Sequence, residues 1–164
     1  MDALLRVRAG SRVLLSGDIL TARDAAHKRM CDAIARGESL PVNLTGTAIY
    51  YAGPCPAPPA GVIGACGPTT SGRMDAYTPA LLERGLRVTI GKGERSADVL
   101  KAMKEHGAVY LAAVGGAGAL YRRCVTGADV LCYDDLGAEA VFRLTVRDMP
   151  LFMAADAEGR AIHN

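Results

Sequence analysis

The chain has 164 residues, half of them hydrophobic and 22% charged, with a formal net charge of +2. This is one domain of ordinary size, residues 1–164, with enough apolar material for its own core, so folding requires neither disulfides nor a structural metal. The small charge excludes a broad electrostatic footprint for nucleic acid or a membrane surface, and no apolar run approaches the ~20 residues of a bilayer span.

The N-terminal MDALLRVRAG lacks the apolar core and cleavage site of a signal peptide, so the expected compartment is the cytoplasm. Residues Arg12 to Ser16 are a short apolar run that predicts a buried strand. TARDAAHKRMCDAIARG follows, with Thr21 as N-cap, Gly37 as the stop, and Ala26, Met30, Ala33 and Ile34 at helical spacing. Thr47 to Ala52 is rich in β-formers, and GPCPAPPAG after it is a proline-rich turn. VIGACG predicts another strand, Ala76 to Arg84 a helix ending at Gly85, and LRVTIGKG a strand running into a glycine-flanked lysine. Ser96 caps a helix reaching about His106, AVYLAAV predicts a strand buried on both faces, and GGAGALYRRCV a turn and a short helix. The tail from Glu139 to Asp156 predicts two strands around an Asp148–Met149–Pro150 turn. Nineteen glycines and eight prolines suit such frequent turns, and the uneven connections imply an α/β fold with a mixed sheet.

The five cysteines, Cys31, Cys55, Cys66, Cys124 and Cys132, contain no C-x-x-C pair and read as reduced thiols, so no metal or cluster held by this chain alone is expected. AVGGAGAL is not a dinucleotide fingerprint, because Tyr121 occupies the position of the third glycine, and no Walker loop is present.

Three segments share one grammar: a strand ends, glycine opens the backbone and a cation appears. SGDILTARD supplies Arg23 at a helix start; GPTTSGRMD supplies Thr69, Thr70 and Arg73; TIGKG supplies Lys92. Ligand sites of α/β sheets gather at strand ends, where glycine lets backbone N–H groups approach an anion. Arginine grips a carboxylate bidentately and lysine acts as a point charge, so the set suits a small dicarboxylate or phosphate. Each element also fits an ordinary role: Thr69–Thr70 as a cap, Gly-Lys-Gly as a turn, Arg23 as a solvated residue, and His27, one turn after Arg23, as a packed helical histidine.

SGDILTARDAAHKRM, YYAGPCPAP, VIGACGPTTSGRMD, VTIGKG and LGAEAVFRLTVRDMPLFMAADAEG stand in the order and spacing of the C-terminal region of class I fumarate hydratases. In two-subunit members that region is the separate β subunit of fumarase or L(+)-tartrate dehydratase. The chain resembles this family from about Ala9 to Arg160. The resemblance implies a swivelling β/β/α domain and a reversible hydro-lyase reaction on a dicarboxylate, with fumarate/L-malate ahead of L-tartrate. It also implies a [4Fe–4S] cluster held by cysteines of a partner α subunit, in an α2β2 heterotetramer. Arg23, Arg73 and Lys92, with Thr70, would bind the substrate. Thr69 would move the C3 proton, and His27 and Asp75 would support the site. The chain begins close to its first strand, without part of the lead-in associated with the β subunit, which bears on docking of the α subunit. A reading from another class is a stand-alone domain that binds small anions and regulates.

Overall fold

The computed structural model describes residues 2–59 and 61–162. Ala60, in the predicted proline-rich turn, lies outside them. Six strands form one mixed sheet: β1 (Arg12–Thr21), β2 (Ala48–Tyr50), β3 (Val88–Gly91), β4 (Val109–Ala112), β5 (Val125–Cys132) and β6 (Val141–Ala155). Strands β1 to β4 are parallel neighbours, β6 runs antiparallel to β4, and β6 also pairs with β1. Five strands therefore close a ring, and β5 hangs outside it on β6. With helices packed outside, this is the mixed architecture of a swivelling β/β/α domain.

The period-2 alternation of strands separates two cores. Ala48, Tyr50, Val88, Ile90, Val109, Leu111, Leu144 and Met153 point into the ring. Ile49, Tyr51, Ala108 and Tyr110 point out, against helices α2 (Asp24–Ala35), α3 (Thr78–Glu83) and α4 (Ala97–Glu105). Ala108 to Leu111 of AVYLAAV are buried on both faces, as the apolar run predicts, whereas Val114 at its end is exposed. Two further short helices, α1 (Asp2–Leu5) and α5 (Gly118–Cys124), complete the chain.

Several predicted boundaries move for physical reasons. Strand β1 extends past Ser16 to Thr21, because a bulge between Leu15 and Gly17 (φ 125°) bends the strand without ending it. Opposite that bulge, the tail is one long strand instead of two around a turn. Asp148 adopts φ 49° with its N–H on Ser16 Oγ at 2.9 Å, and β6 bends there. Thr21 does not cap α2: its hydroxyl accepts from Phe142 N, and Arg23 occupies the N-cap position. The capping oxygen comes from across the chain, Glu139 Oε2 accepting from Ala25 N at 3.0 Å. VIGACG is not a strand. It runs irregularly, tied by Gly64 N to Cys55 O and by Cys66 N to Gly118 O. Val125–Cys132, which carries no strand expectation of its own, forms β5 because β6 offers it an open edge.

The ring leaves one gap. Beyond Tyr51, which donates to Ile90 O, strands β2 and β3 separate, and Thr69–Ser71 enters between them. Ser71 is wholly buried there, its hydroxyl against Gly91. A Cβ at Gly91 would collide with Ser71 Oγ and stand 2.9 Å from the Tyr51 ring. Gly91→Ala is expected to destabilise the fold by about 1–3 kcal/mol, as overpacking does, which urea unfolding at constant m-value would measure.

Candidate active site

The C-terminal ends of the parallel strands are where an α/β sheet presents its ligand site. Here the inserted segment builds it. Thr69 N donates to Tyr51 O at 2.6 Å, Lys92 N donates to Thr69 O at 3.2 Å, and Ser71 N donates to Lys92 O at 2.8 Å. Thr70 and Lys92 thus face each other in a parallel bridge, and two of the three cationic loops of the sequence become one structure. Thr69 is half-buried and Thr70 exposed; Thr70 holds the N-cap position of a 3-10 turn (Ser71–Met74) but makes no side-chain hydrogen bond to it.

The Lys92 side chain runs along the loop after β4, where a Cβ on Gly115 would lie 3.3 Å from its Cδ and 3.8 Å from its Nζ. It makes no salt bridge among the described residues. The glycines of AVGGAGAL serve close packing: a Cβ at Gly118 would stand 3.0 Å from Gly67 N, the glycine that opens GPTT.

The third loop joins through α2. Arg73 Nε and Nη2 grip the two oxygens of Asp24 at 2.9 and 2.8 Å, so Arg73 is held against the first turn of that helix. Nη1 of Arg73 is left uncommitted in a side chain that is half exposed. Arg23 lies over Gly53, where an added Cβ would be 2.9 Å from Nη1, and its Nη2 is 3.5 Å from Glu139 Oε1. Its Nε is buried without a partner. Arg73 is thus paired with Asp24 and Arg23 faces Glu139, while Lys92 stands on the loop bridged to Thr70. Guanidinium and ammonium groups are the side chains that bind small carboxylates and phosphates.

His27 is fully buried behind Arg23. Its Nδ1 donates to Arg23 O at 2.9 Å, its ring sits edge-on to Tyr51, and Nε2 is left without a partner. Burial, opposed by the bond to Arg23 O, pushes its pKa down to about 4, so the ring is neutral and packed, and it does not reach the anion cluster as a charge. Asp75 supports from below: Oδ1 accepts from Arg95 Nε and Oδ2 from Ser96 N, each at 2.7 Å.

Sequence reasoning passed over Glu139 and Arg95. Glu139 acts at a helix distant in the chain, so no local pattern marks it. Arg95, in KGERS, reads locally as a solvated residue beside the Ser96 cap, yet its side chain has no exposure.

Among the described residues no group of three His, Cys, Asp or Glu side chains could hold a metal ion, and all five cysteines are free. The ligating form is the thiolate. Burial pushes the Cys66 thiol up to about 12, and burial also raises Cys31, Cys124 and Cys132. No helix among the described residues is long and apolar enough to cross a membrane.

A family model described as "Fumarase C-terminus" matches residues 1–164. "Fumarate hydratase 2" of Leishmania major is 38% identical over 157 residues, covering 94% of this chain and 28% of that protein. "Fumarate hydratase class I, aerobic" of Salmonella typhimurium is 37% identical over 161 residues, covering 97% of this chain and 28% of that protein. "Putative L(+)-tartrate dehydratase subunit beta" of Methanocaldococcus jannaschii is 37% identical over 164 residues, covering 96% of this chain and 84% of that protein. The chain thus spans under a third of the fumarate hydratases it matches.

His27 gives this site a measurable signature. Its folded pKa, about 4, lies below the ordinary 6.5, so the unfolded chain binds the extra proton first. Stability from this group is fully present above pH ~6.5 and lost as pH falls toward ~4, by roughly 3 kcal/mol at most. Chemical denaturation across that range should show a shallower pH slope in His27→Gln than in the wild type.

Proposed function

Because the chain belongs to the fumarase C-terminus family, whose relatives are hydro-lyases, we propose that it is the β-subunit half of a fumarate hydratase-type enzyme. The observation that carries this reading is that one short segment, carrying Thr69 and Arg73, is bridged at Thr70 to Lys92 and tied through Arg73 and Asp24 to the start of α2. Supporting the separate-subunit form is the match over most of a protein named as a subunit beta.

In this reading a C4 dicarboxylate is held by Arg23, Arg73 and Lys92. Arg73 offers Nη1, because Asp24 already fixes its other edge. Arg23 is aimed by Glu139 and the Gly53 backbone, and Lys92 supplies a compact charge for the negative charge that develops on the carboxylate next to C3. Thr69 Oγ, as the alkoxide, takes the C3 proton when water is eliminated, and the hydroxyl so formed returns it when water adds. A threonine hydroxyl is a weak base at neutral pH, and the surrounding cations are what lower its effective pKa. Thr70 lies at the exposed rim of the same segment and contacts the substrate from there.

We place the [4Fe–4S] cluster of such enzymes on a partner α subunit, a reading supported by the lack of any three cysteines brought together among the described residues, and derive no step through it. An α2β2 assembly in the cytoplasm completes the proposal, and the free cysteines suit that reducing compartment. Fumarate is the favoured substrate, on the strength of the fumarate hydratase matches. L-tartrate is the second reading, carried by the subunit-beta match.

Prepared anaerobically with its cognate α subunit, the chain should hydrate fumarate, and alone it should not. In that complex Thr69→Ala should lower kcat by roughly 10²–10⁴-fold with little change in KM, and Arg73→Ala should raise KM. Steady-state kinetics on fumarate and L-tartrate measure all three. Wild-type rates in Thr69→Ala would remove its proton-transfer role. Dicarboxylate binding by the isolated chain, with no activity in any complex, would favour the regulatory anion-binding domain.

A further inference from the structure

We propose that Arg95 is a positioning residue for this site: a buried guanidinium that fixes the Thr69–Ser71 segment and Lys92 from beneath, with Tyr110 as the arm that reaches them. The proposal rests on the reading of Thr69 and Lys92 given above.

Removing a guanidinium from water is costly, and an apolar side chain of similar size often serves stability as well or better. A wholly buried Arg95 therefore calls for a reason beyond packing. Its partners supply one, because most lie on segments that border the site. Nε donates to Asp75, which closes the turn carrying Arg73. Nη1 donates to Tyr51 OH at 3.3 Å and to Thr89 Oγ1 at 3.0 Å. Tyr51 is the residue whose carbonyl receives Thr69 N, and Thr89 lies on β3 just before Lys92. Nη2 donates to Thr78 Oγ1 at 2.7 Å, at the start of α3. The guanidinium also lies against the Tyr51 and Tyr110 rings, 5.3 and 5.2 Å from their centroids.

Tyr110 converts this anchor into a clamp. Its hydroxyl donates to Gly93 O at 2.7 Å, so the Ser71 hydroxyl, 3.0 Å away, is the donor to it. Gly93 follows Lys92 and Ser71 follows Thr70, so one hydroxyl ties both strands of the Thr70–Lys92 bridge on the side away from solvent. The planar fork of arginine reaches four acceptors at fixed angles, and lysine has no equivalent geometry. A displacement of about 1 Å in a reacting group costs on the order of 10²-fold in rate, so such a clamp is worth keeping in a buried core.

Two variants separate positioning from bulk stability. Tyr110→Phe keeps the ring over the guanidinium and removes only the hydroxyl; Arg95→Lys keeps the charge and removes the fork. In the full chain, amide hydrogen exchange at Thr69, Ser71 and Lys92 should quicken by roughly tenfold or more in Tyr110→Phe, while α2 amides change by less than about twofold. In the complex with the α subunit, kcat on fumarate should fall by about tenfold or more with KM within about threefold, and Arg95→Lys should exceed Tyr110→Phe in both measurements. Exchange that rises equally at the site and in α2, or kcat within about twofold of wild type, would overturn the proposal. If Arg95→Lys does not fold, Tyr110→Phe decides alone. Exchange confined to the site together with an inactive wild-type complex would leave the clamp standing and remove the hydratase reading.

Discussion

The short ladder from Tyr51 O to Thr69 N, from Thr69 O to Lys92 N, and from Lys92 O to Ser71 N is the constraint on which the rest of the site depends. It lets two strands of a closed ring separate without leaving their backbone groups unpaired. The segment that satisfies those groups is the one that carries the chemistry. Gly91 exists to admit it, Tyr110 holds it from below, and Arg95 ties that support to the turn bearing Arg73. Buried polar groups that would otherwise be a liability of the fold are thereby turned into the fixed frame of the loop.

The charges around the loop follow a related logic. Arg73–Asp24 is half exposed, and a pair in that setting contributes little to stability. Its geometry is what matters, since a bidentate carboxylate fixes the guanidinium plane before any ligand arrives. Glu139 does two jobs with one carboxylate, accepting from the first turn of α2 and facing Arg23. Both arginines are oriented in advance, and ordering them on binding costs correspondingly less.

Much of this was legible in the residues. The helix capped by Ser96, the buried strand within AVYLAAV and the cations Arg23 and Lys92 just beyond strands β1 and β3 follow from local periodicity, caps and glycine placement. What local pattern could not show were effects whose cause lies elsewhere in the chain. Thr21 is a good cap by type, yet it spends its hydroxyl on β6 while Glu139 serves the helix. VIGACG has the composition of a strand but no free edge to pair with, whereas TGADV lies beside one. Arg95 is the sharpest case: its burial is decided by two tyrosines, two threonines and an aspartate on five other segments, none of them its neighbours in sequence.

The bent strand β6 carries a further consequence, for the order in which the molecule can assemble. It pairs along its first half with β1 and β5, and past the Asp148 bend with β1 and β4, so the last strand made must meet the first. Loop closure over nearly the whole chain precedes the reward of those contacts, which places this topology among the slow folders. During synthesis the parallel strands β1 to β4 can align, but β1 keeps an open edge until β6 has left the ribosome. The nascent chain thus waits with an unpaired strand exposed, and the bulge at Gly17 that kinks that edge also makes it a poor template for pairing with a neighbouring copy.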